Sequence, residues 1–359
     1  MQQLEERNQK IINAVIEKAK RVCPESLALI GIYGSFMTGD IHEKSDLDLL
    51  ILINDDNGWQ LGCTFIQDDL QVGHDIYCTS WESLEWDANY EHPNISKLMD
   101  SKIVYCTDEK YIERLEVLRE KTREKMSTPF SKEDYDKAEK LLKEAEHFYV
   151  QATLAQSFSQ MQKYVGGVLY YIENAIAMLN KKYFQFGTKR VYEELEQMEM
   201  RPERLCEMIN AVVTANTTEV LQSQLVTLMR ETFCTFDDVK AKLEVTQKSP
   251  LTADSIRGTY EEMYSNWRNK MKVAARENNP HLAFSSMCSL DAMISEIGCG
   301  VAIGTYDVFQ YYNPSDLYET AKGYDEVLNA YSKEYEKARL EVKRYPDIDS
   351  YVVDYLKES

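Results

Sequence analysis

Basic residues are scarce in this chain: 41 Lys and Arg stand against 60 Asp and Glu, a formal net charge of −19 over 359 residues. A general nucleic-acid binder needs a basic surface to displace counterions from phosphate, so no nucleic-acid partner is expected. No apolar run approaches the roughly 18 residues of a membrane span, so no membrane partner is expected either. The cysteines at 23, 63, 78, 106, 206, 234, 288 and 299 form no Cys-x-x-Cys pair, which argues against a zinc site or a disulfide framework and for reduced thiols. The opening residues, MQQLEERNQK, are polar and lack the apolar core of a secretory signal, so the expected location is cytoplasmic. No fixed-period repeat or low-complexity tract stands out.

A hydrophobic fraction of 44% is ordinary for a soluble globular chain, and the length is enough for two or three domains. Residues 1–107 alternate short β-rich runs with helical patterns and hold 18 acids against 8 bases, which makes this third the negatively focused part. LEERNQKIINAVIEKAKRV has helical spacing, LALIGIYG and DLDLLILI read as strands, and Trp59 to Ile66 with Gln71 to Cys78 reads as a hairpin. SWESLEWDANY reads as a helix capped by Ser80. From Asp108 the β signal fades. Residues 108–130 form a connecting helix, 131–245 a helical bundle, and 251–359 a second helical domain of unknown role, with a boundary at Pro250. The fold class is α+β: a small mixed sheet with helices, followed by all-α bundles.

The chemistry concentrates in LIGIYGSFMTGDIHEKSDLDLLILI, residues 29–53. Strand alternation puts Asp46 and Asp48 on one face while Leu47 and Leu49 enter the core. Two such carboxylates repel each other unless protonated or neutralised, and a divalent cation with oxygen preference is the usual neutraliser. Gly34-Ser35 ends the preceding strand in a turn where exposed N–H groups can receive phosphate oxygens. Asp75 lies in the apolar-flanked strand segment GHDIY, a context that tolerates an acid poorly unless it is paired or ligating. The plain alternative makes Asp46 a turn cap, Asp48 a partner of a nearby lysine and Asp75 a surface acid, which requires three coincidences. His42 and His74 read first as solvent-exposed loop histidines, and Lys44 either meets a phosphate or is solvated.

Gly34-Ser35, ten residues, Asp46-Leu47-Asp48 and then Asp75 on a later strand resemble the polymerase-β-like nucleotidyltransferase superfamily. The resemblance implies that Asp46, Asp48 and Asp75 bind two Mg²⁺ ions and that Gly34, Ser35 and Lys44 bind the nucleotide. It further implies transfer of a nucleoside monophosphate, AMP by expectation, from an NTP such as ATP to a hydroxyl. An acidic α/β domain joined to an acidic bundle looks most like the aminoglycoside and lincosamide (kanamycin-type) nucleotidyltransferases, which implies antibiotic resistance and a small, cationic hydroxyl acceptor. In that group a bundle carboxylate can act as general base, and Glu144, Glu146, His147 and Glu173 are the candidates here. LYYIENAIAMLNKKYFQFGTKRVYEEL, with its Gly-Thr-Lys-Arg turn, carries this part of the resemblance. The competing class is an antitoxin-type nucleotidyltransferase that binds or AMP-modifies a protein partner, a reading weakened by the helical domains fused in cis. Tyr260, Tyr264, Trp267, Tyr306, Tyr311 and Tyr312 read first as core, with a substrate cleft or a homodimer interface as the alternatives.

Overall fold

Two runs, LALIGI and LLILI, are apolar on both faces and can only be central strands. The computed structural model, which describes residues 2–243 and 248–357, makes them neighbours. After α1 (Gln2–Val22), β1 (Leu27–Ile32) leads through the single turn α2 (Ser35–Thr38) to β2 (Leu49–Ile53) and pairs antiparallel with it, Ile32 opposite Leu49. The hairpin β3 (Cys63–Gln67) and β4 (Val72–Ile76) forms its own two-stranded sheet. β5 (Cys78–Ser80) joins β2 in parallel and β6 (Lys102–Cys106) joins β1 antiparallel, giving the order β5-β2-β1-β6.

Each face of this sheet is covered separately. Ile12, Val15 and Ala19 of α1 pack with Ile30, Ile51 and Ile53 on one face. On the other, Leu29, Leu50 and Leu52 meet Trp81 and Leu84 of α3 (Trp81–Ala88) and Leu115 and Leu118 of α5 (Glu109–Ser127), with α4 (Ser96–Met99) between them in sequence. Both sets of β2 side chains are therefore buried, which holds β2 and the chain leading into it in one register. Ser80 caps α3 by accepting from the Ser83 N–H at 3.2 Å.

Ser131 and Asp134 form a capping box at the start of α6 (Lys132–Thr153), which packs antiparallel-style against α7 (Phe158–Leu179) through residues such as Leu142, Ala145, Val168 and Ile172. α8 (Val191–Glu196), α9 (Leu205–Val213) and α10 (Thr218–Leu243) complete this part. The fold is thus α+β, a small mixed sheet near the N-terminus followed by many helices.

Several boundaries differ from the sequence reading. β2 starts at Leu49, so Asp46 and Asp48 sit in the extended approach to the strand, where Leu47 is still buried and the alternation persists. Trp59 to Leu61 belong to a 3₁₀ turn begun by Asp55, whose carboxylate accepts from the Asn57 N–H. α7 ends at Leu179, where the Asn180 side chain takes up the Ile176 carbonyl and bridges to Met200. The expected boundary around Pro250 includes residues 244–247, which lie outside the described residues.

The chain divides into two compact units, Met1–Glu244 and Val245–Ser359. In the second, helices Pro280–Gly300 and Leu317–Lys337 surround a tyrosine-rich core in which Tyr324, Tyr331 and Tyr335 are fully buried. Tyr260 is buried there, and Tyr264, Trp267, Tyr306, Tyr311 and Tyr312 pack against that core, so core packing accounts for all six aromatics. Within it Tyr335 donates to Glu261 at 2.8 Å and Tyr306 to the buried Glu334 at 3.0 Å, which satisfies hydroxyls that burial would otherwise penalise.

Candidate active site

Because β1 and β2 run antiparallel, the end of one and the start of the other meet, and the loop 33–48 closes on itself. The Tyr33 N–H donates to the Asp48 carbonyl at 3.1 Å, continuing the ladder one step past the strands. Gly34 then takes φ +68°, and a Cβ there would stand 2.0 Å from Asp48 Oδ2. Only glycine fits, on both counts. The Ser35 N–H donates to the Asp48 carboxylate, so the Gly-Ser turn is the seat of this acid.

That seat is electrostatically costly. Burial and the neighbouring Asp46 push the Asp48 carboxyl up to about 6, against the opposing Ser35 hydrogen bond. Tyr33 is pushed up to about 12 by burial and then by Asp48 and Asp46. Two acids held this close, one with a raised pKa, leave a deficit of positive charge that a cation would fill.

The acids open into a cleft of about 430 Å³, lined on one side by Gly34, Ser35, Lys44, Asp46 and Asp48 and on the other by the bundle turn Gln185–Lys189. This turn is placed by α8: the Glu194 carboxylate accepts from the Gln185 and Phe186 N–H groups at 2.6 and 3.2 Å. Asp100 holds its approach, accepting from the Tyr183 hydroxyl at 2.8 Å. Across the cleft Arg190 Nη1 lies 3.6 Å from Asp40, and Lys189 Nζ lies 3.3 Å from His42 Nε2. Lys189 and Arg190 are site residues the sequence reading did not single out; the Gly-Thr-Lys-Arg turn was the signal. A larger groove of about 710 Å³ lies along α9 and α10, but its lining has no pair of acids seated on a glycine turn.

The other candidates fall elsewhere. Asp75 is exposed, where a buried strand acid was expected, and it is not among the residues lining the cleft. The reason is parity: on β4, Val72, His74 and Ile76 turn inward and Asp75 outward. His74 is corrected in the opposite sense, being 1% exposed instead of solvated. Glu144, Glu146 and His147 lie on exposed faces of α6. Glu173 on α7 is half-buried, burial alone pushes it up to about 7, and, like Asp75, it is not among the residues lining the cleft. Its charge acts on Tyr192 of α8 and on Cys206, and it adjoins Asn174, which accepts from Asn94 of the N-terminal part at 2.7 Å.

A turn with exposed N–H groups can receive phosphate oxygens, and paired carboxylates beside it can hold a divalent ion. Residues 9–146 match the nucleotidyltransferase domain family. The chain is accordingly a transferase of the nucleotidyl-transferring class. Domains of this family generally use an NTP with divalent metal ions. A nucleotidyltransferase-like protein from Exiguobacterium sibiricum 255-15 is a similar solved structure at 11% identity, with 76% of this chain and 91% of that one covered and a TM-score of 0.33. No curated protein matches the chain significantly. Among the described residues, no helix is long and apolar enough to cross a membrane.

A divalent ion needs oxygen donors that carry uncompensated negative charge. Asp46 and Asp48 fit one: they are oxygen donors sharing a cleft, and the raised Asp48 carboxyl marks unsatisfied negative charge. A three-carboxylate arrangement is not formed: Asp75 is not among the residues lining the cleft, and among the described residues no group of three His, Cys, Asp or Glu side chains is placed to hold an ion.

Proposed function

We propose that the nucleotidyltransferase cleft binds ATP with a divalent cation and transfers AMP to a hydroxyl of a small cationic molecule of the aminoglycoside type, in the cytoplasm. The observation that carries this reading is the seating of Asp48 against Gly34 and Ser35 beside Asp46. The two carboxylates would hold the ion together with the triphosphate, the usual mode for Mg²⁺, which prefers one or two carboxylates plus phosphate oxygens. When bound, such an ion neutralises the triphosphate and the charge that builds on the leaving pyrophosphate. Lys44 and Lys189, on opposite walls, bring positive charge to the phosphates. The Ser35 N–H is already directed to Asp48, which leaves its hydroxyl to meet a phosphate oxygen.

Glu173 is the candidate proton acceptor in this reading, although it is not among the residues lining the cleft. A carboxylate raised to about 7 is half-ionised at neutral pH, which suits a general base. The net charge of −10 on residues 1–107 supports a cationic acceptor, drawn in by the field of the domain.

The test is calorimetry of ATP binding. Affinity in EDTA should fall at least tenfold from that in Mg²⁺, because paired acids repel an uncompensated triphosphate. Equal affinity in both would sink the metal assignment.

A further inference from the structure

Among the described residues β3 has one strand partner. Its register against β4 runs from Cys63 opposite Ile76 to Gln67 opposite Val72 without a shift, and the two form a sheet of their own, so the far edge of β3 is open. Cys63, Thr64, Phe65 and Ile66 are all exposed, Ile66 at 72%. An open edge offers a row of backbone N–H and C=O groups to an incoming strand, and chains ordinarily blunt it with a charge, a proline or a bulge. The run CTFIQ has none of these. In a chain of net charge −19, an uncharged edge is also where two copies can approach with least repulsion.

The two ends of β3 are unlike. At its start the Lys18 ammonium of α1 donates to the Gln60 carbonyl, and the preceding Trp59 is exposed. At its end the turn carries Asp68 and Asp69, both exposed, and then Leu70, also exposed. A second β3 running antiparallel to the first lays the end of each strand against the start of the other, so that the acids meet Lys18 and Leu70 meets Trp59. A parallel copy would set acid against acid, and a partner strand charged with one sign throughout would meet its like at one end. We propose that β3 is the contact strand of a two-fold symmetric homodimer, in which the hairpins join edge to edge as one antiparallel sheet, β4-β3-β3-β4. This holds whatever the cleft binds. A contact strand of 5 residues is short, so the dimer dissociates reversibly at micromolar concentration.

The experiment is sedimentation velocity of the full-length chain in moderate salt from about 1 to 100 µM, the range of small reversible contacts, with amide hydrogen exchange read at both limits. Two chains per particle are expected at the upper limit, with the amides of Thr64 to Ile66 protected more there than at the lower. Ile66→Lys puts a charge on the edge of each copy and should leave the chain single at every concentration, and because the side chain is exposed the melting temperature should not move. Lys18→Glu should weaken association about tenfold, and adding Asp68→Lys and Asp69→Lys to it should restore association, since the pairs between copies re-form with signs exchanged. A chain that stays single at the upper limit overturns the proposal and leaves the edge to another protein. A dimer that keeps its affinity in Ile66→Lys or in Lys18→Glu, or a charge exchange that restores nothing, overturns it too. If Ile66→Lys does not fold, the charge exchange decides.

Discussion

Asp48→Asn should lower nucleotidyl transfer about a thousandfold or more while raising thermal stability at pH 8. The amide keeps the shape that fits against Gly34 but removes the charge that attracts a cation. Losing several kcal/mol of charge stabilisation in the transition state, at 1.36 kcal/mol per tenfold, gives about three orders of magnitude. The stability effect has the opposite sign because the Asp48 carboxyl is raised from 3.8 to about 6 in the fold. A raised carboxyl favours the folded state when protonated, so its cost is absent below the unfolded value, grows between about 4 and 6, and is complete above the folded one. After allowance for its partial exposure that cost is about 1 to 2 kcal/mol, a few degrees in Tm. Melting curves of both proteins should therefore converge near pH 4 and separate at pH 8. A variant that melts lower at pH 8 would make Asp48 a structural acid.

Glu173→Gln should cost about a hundredfold in turnover with little change in ATP affinity, the usual contribution of a positioned base. The pH profile provides the sharper readout. With Glu173 pushed up to about 7, the rate should climb as pH rises through 7 and level off once the carboxylate is ionised. In Glu173→Gln that limb should vanish. Exposed Glu144 and Glu146, changed to Gln in the same way, should alter turnover by less than twofold, since they face solvent. If Glu173→Gln keeps both rate and profile, the bundle shapes the acceptor pocket without taking its proton.

The parts of this molecule that could be read from the sequence are those fixed by local pattern. LALIGI and LLILI have no polar face, so two central strands follow at once, and Ser80 before Trp81 and Ser131 before Lys132 mark helix starts through their own side chains. The pairing of Gly34-Ser35 with Asp46 and Asp48 was legible for the same reason: an antiparallel hairpin must return its second strand beside the end of its first. The role of Asp75 was not legible. A hairpin of β3 and β4 has two faces, and which of them is covered is decided by packing remote in sequence, so His74 and Asp75 exchange the surroundings expected for them. Likewise, the turn Gln185–Lys189 owes its place to Glu194 and Asp100, contacts that no local periodicity encodes. Among the candidate bases, burial separates Glu173 from Glu144 and Glu146, and helical spacing alone does not.

The most direct measurement of the central claim is pyrophosphate release from each of the four NTPs against a panel of hydroxylated amines, with Mg²⁺ and with EDTA, for the unaltered chain and Asp48→Asn. Acceptor-dependent pyrophosphate release, greatest with ATP, abolished by EDTA and lost in Asp48→Asn, is the result predicted. Release that persists undiminished in EDTA or in Asp48→Asn would contradict it.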